Sequence, residues 1–262
     1  MSMNFAENFD RYSALTEYLK AGLPVLTVNA RLARHLLNVW GARMRLSGFA
    51  AWPTPLCLPL GAWMRSLWLD SGNDKAVLDD ALSVVLWEEI VGLDVDRSSG
   101  MMFGKTASRA AMEAHSLTAG YCIDIPDEPY YLTDETRTFK RWMRRYEDAV
   151  RKLGFIAESQ LPLSLAGLVS KGAVKLPCAI TLAGFDELTP AVSRFVDAVK
   201  TAGVKVDYWP PASGHDGALP SEAVTMRVYD DEDDEVRQAA RWARQTIERE
   251  PRSTIGFIVP QL

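Results

Sequence analysis

A chain of 262 residues can form one large domain or two modest ones, and its 48% hydrophobic and 24% charged residues are typical of a globular protein. No run approaches the roughly 18 apolar residues of a membrane helix, and the start MSMNFAENFDRY is not a signal peptide. These features predict a cytoplasmic protein without a membrane partner. The net charge of −5 disfavours nucleic-acid binding over the whole surface but allows a local basic face.

The N-terminal third reads as alternating helix and strand. The predicted elements are helix 5–21, strand 25–28, helix 31–46, an extended stretch broken by Pro53, Pro55 and Pro59, and a helix over Trp63, Leu67 and Trp68.

From about residue 74 to 172 only helical periodicity is present. Helices are predicted over Val77–Val91, Ala107–Gly120 and Thr133–Leu153, with loops at 92–104 and 123–131. This pattern indicates a helical block of about 100 residues inserted into an α/β domain.

Strands return in the last third, again alternating with helices. Strands are predicted at Cys178–Ala183, Val204–Tyr208, Val224–Tyr229 and Ile255–Val259, and helices at Pro190–Ala202 and Asp233–Arg249. Such alternation implies right-handed crossovers and a parallel sheet. Because the chain ends directly after a predicted strand, we expect it to be a segment of a longer protein.

No residues with the spacing of a catalytic or metal site occur. The cysteines and histidines are scattered: Cys57, Cys122, Cys178, His35, His115 and His215. This spacing predicts buried, unpaired cysteines and neither a disulfide framework nor a zinc site. No catalytic residue, metal ligand or GxSxG nucleophile is predicted.

Two short motifs could belong to a nucleotide site. Gly104-Lys105-Thr106 is the sole GK[ST] match, but Gly100 is one residue too close for a phosphate loop, so a polar helix start is favoured. ITLAGFDE (180–187) is a buried strand ending in Asp186 and Glu187, similar to a Walker B segment, although acids at a sheet edge are common. The acids of 230–235 suit the start of a helix better than a cation site.

Two basic regions are candidates for DNA binding. In the helix at 133–153, seven basic and four acidic residues give +3. One face of this helix is an aromatic stripe of Phe139, Trp142, Met143, Tyr146 and Val150. The DNA-binding candidates beside it are Arg137, Lys140, Arg141, Arg144 and Arg145. The alternative is a solvated helix with the stripe in the core. A second set, Asn29, Arg31 and Arg34, follows strand 25–28 at the carboxyl edge, where α/β sheets bind ligands.

Three segments in order resemble the AddB-like, RecB-family DNA repair exonucleases: LTVNARLARHLL (26–37) with WPTPLCLPLGAWMRSLW (52–68), LAGFDELTPAVSRFVDAVKTAGVKV (182–206), and 229–262 with its acid-rich start. The resemblance implies a RecA-like parallel sheet with an inserted all-helical domain. It divides the chain into a first domain of 1–73 and 173–223, the insertion at 74–172, and the start of a second α/β domain at 224–262.

The same resemblance implies a helicase-like segment that does not hydrolyse ATP. No phosphate loop precedes Asn29, and Thr189 and Pro190 replace the glutamine and aspartate of helicase motif II. We therefore expect no use of ATP or Mg²⁺ here. The expected partner is DNA, single-stranded or a duplex end, held for a downstream nuclease, and a helicase subunit is the further candidate partner. The alternatives are an NTPase with an unusual nucleotide site at Lys105 and a protein-interaction scaffold.

Overall fold

The computed structural model describes residues 13–94, 101–126, 133–209 and 225–259. The described residues up to Trp209 form one compact unit, and those from Thr225 onward form a second. In these ranges the strands are β1 (Val25–Thr27), β2 (Cys57–Pro59), β3 (Ala76–Val77), β4 (Phe155–Ile156), β5 (Ala179–Ala183) and β6 (Lys205–Trp209). The helices are α1 (Ser13–Lys20), α2 (Ala30–Leu46), α3 (Leu60–Asp70), α4 (Asp80–Gly92), α5 (Met101–Gly120), α6 (Asp134–Lys152), α7 (Leu161–Ser170), α8 (Pro190–Thr201) and α9 (Glu232–Arg249).

The main sheet of the first unit is entirely parallel, with the strand order β2-β1-β5-β6. Strand β1 is central, and its three residues are completely buried. The chain first moves from β1 to β2 on one side and later returns to β5 on the other. The predicted α/β class and parallel sheet are therefore confirmed.

Helices cover both faces of this sheet. Successive residues of a strand point to opposite faces, and both faces of β1 and β5 carry buried residues. On one face Val25 and Ala183 pack with α1 and α2, including Leu36 and Trp40. On the opposite face the side chains of the sheet pack against α3, α7 and α8; the central residues of that core are Leu26, Ile180, Leu182, Trp63, Leu165 and Phe195. The result is a layered α/β/α arrangement.

A third core lies within the helical region, where α4, α5 and α6 pack on one another around Trp87, Val91, Tyr146 and Val150. Helix α4 begins at Asp80, because Asp79 is its N-cap and accepts a hydrogen bond from the Leu82 N–H at 2.8 Å. Thr133 caps α6 in the same way.

Several predicted boundaries differ from the structure. The loop prediction at 92–104 is wrong from Met101 onward, where α5 already begins; residues 95–100, 127–132 and 5–12 lie outside the described residues. The region read as purely helical also contains β3 and β4, which pair in parallel over two residues. Helix α7 was not predicted, and Leu161, Leu165 and Val169 place it in the core of the sheet layer.

The second unit contains one described helix, α9, flanked by 225–231 and 250–259. The strands predicted at Val224–Tyr229 and Ile255–Val259 are wrong for the described part of those segments, which forms no ladder. A strand requires a hydrogen-bonding neighbour, and the described residues of this unit supply none. Most of their apolar side chains are exposed: Met226, Val228, Phe257, Ile258 and Val259, with Ile258 at 96%.

A search of the described helices for a span long and apolar enough to cross a bilayer found none.

Candidate nucleic-acid interface

The switch point of the main sheet lies between β1 and β5. From β1 the chain adds β2 on one side, and it then adds β5 and β6 on the other side. The carboxyl ends of these two neighbouring parallel strands lead into Val28-Asn29 and into Gly184-Phe185-Asp186. In open α/β sheets, ligands bind in the crevice outside such a switch point. The structure therefore brings Asn29, Arg31 and Asp186 to the edge where the sequence placed them.

The connection from β1 to α2 consists of only Val28 and Asn29. Asn29 is the N-cap of α2; its side-chain oxygen accepts the Leu32 N–H at 2.9 Å. Thr27 donates its hydroxyl to the Asn29 carbonyl at 2.8 Å, which fixes the turn. A phosphate loop needs several residues whose free N–H groups surround the phosphates, and two residues cannot form one.

Gly184 brings the end of β5 directly against the first turn of α2. Its φ of +78° is in the left-handed region, and a Cβ there would lie 2.6 Å from Leu32 Cδ2 and 3.3 Å from Val28 Cγ1. The Gly184 N–H donates to the Trp209 carbonyl at 2.8 Å. The Leu32 side chain therefore packs against the end of β5 at the switch point.

Asp186 and Glu187 are exposed in the segment between β5 and α8. Helix α8 starts at Pro190, as predicted. Among the described residues no group of three or more His, Cys, Asp or Glu side chains could hold a metal ion. The Walker B-like pair is thus present at the sheet edge as two solvent-facing carboxylates.

Helix α2 carries an unusually one-sided charge. It contains four arginines and no acidic residue, so it carries +4. Arg31 and Arg34 are exposed, and neither forms an ion pair within the described part of the chain. Farther along the helix, Asn38 and Arg45 are exposed as well. Asn38 and Arg45 are not among the residues predicted to bind DNA, although the absence of acids in 30–46 was a visible signal.

Helix α6 has more basic residues, but an acidic residue engages two of them. Asp94, just beyond α4, accepts hydrogen bonds from Arg141 Nε at 2.9 Å, Arg145 NH1 at 2.9 Å and Trp142 Nε1 at 2.8 Å. Burial on its own would raise the pKa of Asp94, but these hydrogen bonds outweigh it and hold the pKa below its ordinary value. Sequence spacing gave no sign of this contact.

Lys140 is a buried lysine, 9% exposed, and therefore departs from the predicted basic face. Its ammonium donates to the carbonyl oxygens of Ile125 at 2.5 Å and Pro126 at 2.6 Å. Arg137 forms an ion pair with Asp134, and Arg144 is exposed. A buried lysine that donates to two carbonyl oxygens cannot reach a phosphate. The prediction of Lys140 as a DNA contact is therefore wrong, and its role is structural.

The aromatic stripe of α6 packs against the core of the helical region, as the alternative interpretation expected: Tyr146 and Val150 are buried, and Phe139, Trp142 and Met143 are partly buried. Tyr146 stacks on Trp87 with a centroid separation of 4.5 Å, and its hydroxyl is 2.9 Å from Ser83 Oγ. His115 is 4% exposed, 5.1 Å from the Tyr146 ring, with Nε2 3.6 Å from Glu147 Oε1. Burial raises the pKa of Tyr146. Sequence reasoning did not find this cluster, which joins α4, α5 and α6.

Lys105 and Thr106 lie in the first turns of α5 and not in a loop. From the fifth residue of a helix onward the backbone N–H groups are used within the helix, so this GK[ST] match cannot surround a phosphate. In the second unit, the acids of 230–235 start α9: Asp231 accepts the Asp234 N–H at 2.7 Å. The helix-capping interpretation of that run is confirmed.

The cysteines only partly follow their prediction. All three are free; Cys57 is buried, which raises the pKa of its thiol to about 11, whereas Cys178 is exposed.

A scan against models of protein families gave no match, and a search of curated proteins gave none.

Proposed function

We propose that this chain is the helicase-like, ATP-independent part of an AddB-like DNA repair exonuclease, and that it binds DNA for a nuclease domain elsewhere in the protein. The observation that carries the proposal is the two-residue connection between β1 and α2. A domain of this class hydrolyses a nucleotide only with a phosphate loop at that position. With the loop replaced by a capped helix start, what remains is a sheet edge with exposed arginines.

The proposed fold is a RecA-like sheet with the helical region inserted between β2 and β5. The all-parallel sheet, the switch point beside Asp186 and the separate core around Trp87 are consistent with it. Crossovers between parallel strands put the carboxyl ends at one edge, where Arg31 and Arg34 are exposed. DNA, single-stranded or a duplex end, is the proposed partner because its phosphates complement these arginines.

A protein-interaction scaffold is the second candidate. The observation in its favour is α9, which buries none of its residues and exposes Val236 at 67%, Trp242 at 52% and Ile247 at 48%. An NTPase centred on Lys105 has no such support, since that lysine is within a helix.

Two measurements on the purified chain test the proposal. We expect no hydrolysis of Mg-ATP above background, with or without single-stranded DNA, and anisotropy of a labelled oligonucleotide should show salt-sensitive binding. Turnover abolished by Lys105→Ala would establish the NTPase instead. An absence of DNA binding at low salt would favour the scaffold.

A further inference from the structure

Helix α2 presents exposed polar and basic side chains on the side away from its core. The buried residues Ala33, Leu36, Trp40 and Gly41 define the inner side. At 100° per residue, Arg31, Arg34, Asn38 and Arg45 lie on the side away from these residues within about 60° of one another, and all four are exposed; the exposed His35 borders them next to Arg31 and is not counted in the set. We call these four residues the α2 arginine stripe.

From the structure we infer that the α2 arginine stripe is a track for the phosphates of a single DNA strand. The inference rests on the proposed function, and it extends the predicted contacts at Arg31 and Arg34 to Asn38 and Arg45. At about 1.5 Å per residue, the 14-residue step from Arg31 to Arg45 covers about 21 Å. That length holds several phosphates in line and begins at the positive end of the helix dipole.

The charges of the stripe are available for binding. Arg31, Arg34 and Arg45 form no ion pair within the described part of the chain, and α2 itself contributes no acid. Glu17 interacts more strongly with Lys20 than with Arg43, and Arg43 is not in the stripe. Asp186 and Glu187, which follow β5 at the same sheet edge, form no ion pair within the described ranges. A polyanion is therefore the complementary partner.

An exposed aromatic ring selects a single strand over a duplex. Phe49 follows the last turn of α2, its N–H bonded to the Met44 carbonyl at 3.1 Å, and its side chain is 53% exposed. Only an unpaired strand has free base faces that can stack on such a ring. Arginines for the phosphates and a ring for a base are the combination found in single-strand binders.

The test is a charge reversal in the whole 262-residue chain with a matched control. Arg34→Glu/Arg45→Glu changes the net charge from −5 to −9, since each reversal removes two charges. Lys105→Glu/Arg109→Glu makes the same change on exposed residues of α5. Binding of a labelled oligo-dT is followed by anisotropy across a salt series, with circular dichroism and thermal melting as fold controls.

We expect the reversal on α2 to weaken binding about tenfold or more and the control to weaken it far less. Three arginine–phosphate contacts predict a log–log salt slope of about −2 for the native chain, which the α2 variant should reduce to about −0.7. Phe49→Ala should weaken single-strand binding about fivefold and leave duplex binding unchanged.

Each other outcome has a definite meaning. If the native chain binds no oligonucleotide, the proposed function itself fails. If it binds, but the α2 reversal is neutral or no worse than the control, the track is refuted while the proposed function stands. Equal affinity for single and double strands, unaffected by Phe49→Ala, would refute the single-strand assignment. Binding to phosphatidylserine vesicles in place of oligo-dT would reassign the stripe to a membrane surface.

Discussion

Helices α6 and α2 are both rich in arginine, but their charges meet different surroundings. On α6 the guanidinium groups of Arg141 and Arg145 are bonded to Asp94, and the ammonium of Lys140 is buried against two carbonyl oxygens. On α2 there is no acid in the helix, and Arg31 and Arg34 form no ion pair in the described ranges. The number of basic residues favours α6 as the candidate phosphate-binding surface. The number of basic residues without an acidic partner favours α2.

The difference matters because an arginine that already has a carboxylate partner must give it up before it binds a phosphate. The loss of that partner offsets much of the gain, whereas an unpaired surface arginine gives up only water and counterions. The basic residues of the two helices therefore differ in their surroundings: those of α6 bond within the helical region, whereas Arg31 and Arg34 of α2 face solvent. Experiments that remove one partner at a time test this difference.

Reversing Lys140 should have the largest effect, and on stability. Lys140→Glu places a carboxylate where the ammonium now donates to the carbonyls of Ile125 and Pro126. We expect the free energy of unfolding to fall by about 3 kcal/mol, since a buried charge would face two acceptors. Urea unfolding measures it, and Lys140→Met, which keeps the apolar stem, is the milder control. A stability loss under 0.5 kcal/mol would mean that Lys140 belongs to the solvent-facing basic surface.

Gly184→Ala should disturb α2 through its contact with the sheet. The new Cβ would lie 2.6 Å from Leu32 Cδ2 at a residue with φ of +78°. We expect a loss of about 2 kcal/mol from strain and overpacking. Leu32→Ala in the same chain removes the clash but not the strained φ, so the double variant should be more stable than the sum of the two single effects predicts. Strict additivity would contradict a direct contact between these residues.

The sequence predicted most of the sheet because its strands are short, buried and apolar. Val25–Thr27 and Ala179–Ala183 were found within a residue of their bounds, since apolar runs between turn residues are a local signal. The strands expected in 224–229 and 255–259 have the same local signal. They failed because pairing depends on a neighbour, which local pattern does not report.

For the candidate site, the sequence predicted the residues that directly follow a strand, but it did not predict contacts between residues far apart in the chain. Asn29 and Arg31 could be placed at the carboxyl edge because they follow a strand, and the structure puts them there. Arg141 is bonded to Asp94, a residue 47 positions away that no spacing rule connects to it. Burial of Lys140 likewise follows from the packing of a loop and not from helical periodicity, which places it off the aromatic stripe.

Asp94→Asn should lower the stability less than Lys140→Glu or Gly184→Ala does, and it should strengthen the binding of oligo-dT. The amide keeps the shape of the side chain but loses the charge that holds Arg141 and Arg145. We expect about 1 kcal/mol less stability, because the arginines are nearly half exposed, and tighter binding of oligo-dT, because two guanidinium groups are released. Asp148→Asn is the control, since Asp148 pairs with Arg151 on the surface and the charge change is identical. An equal gain in affinity in both variants would indicate net charge alone.

The smallest expected effect is the pH dependence of the same contact. Burial would raise the pKa of Asp94, but hydrogen bonds from Arg145, Arg141 and Trp142 hold it below its ordinary value. A carboxyl group whose pKa is lower in the folded state stabilises the fold above its unfolded pKa, about 3.9. That contribution is lost as the pH falls through the lower folded-state pKa. Asp94→Asn lacks it at every pH.

The stability difference between the native chain and Asp94→Asn should therefore be constant from about pH 7 to pH 5 and shrink toward zero below about pH 4. Glu17 and Glu135 also have lowered pKa values, but both proteins contain them, so they cancel in the difference. Urea unfolding at a series of pH values gives the curve. A stability difference that persists unchanged to pH 3 would show that the protonated side chain of Asp94 bonds the arginines as well as the ionised one does. The contact would then be an ordinary hydrogen-bond network, and the charge of Asp94 would not be what keeps the α6 arginines from DNA.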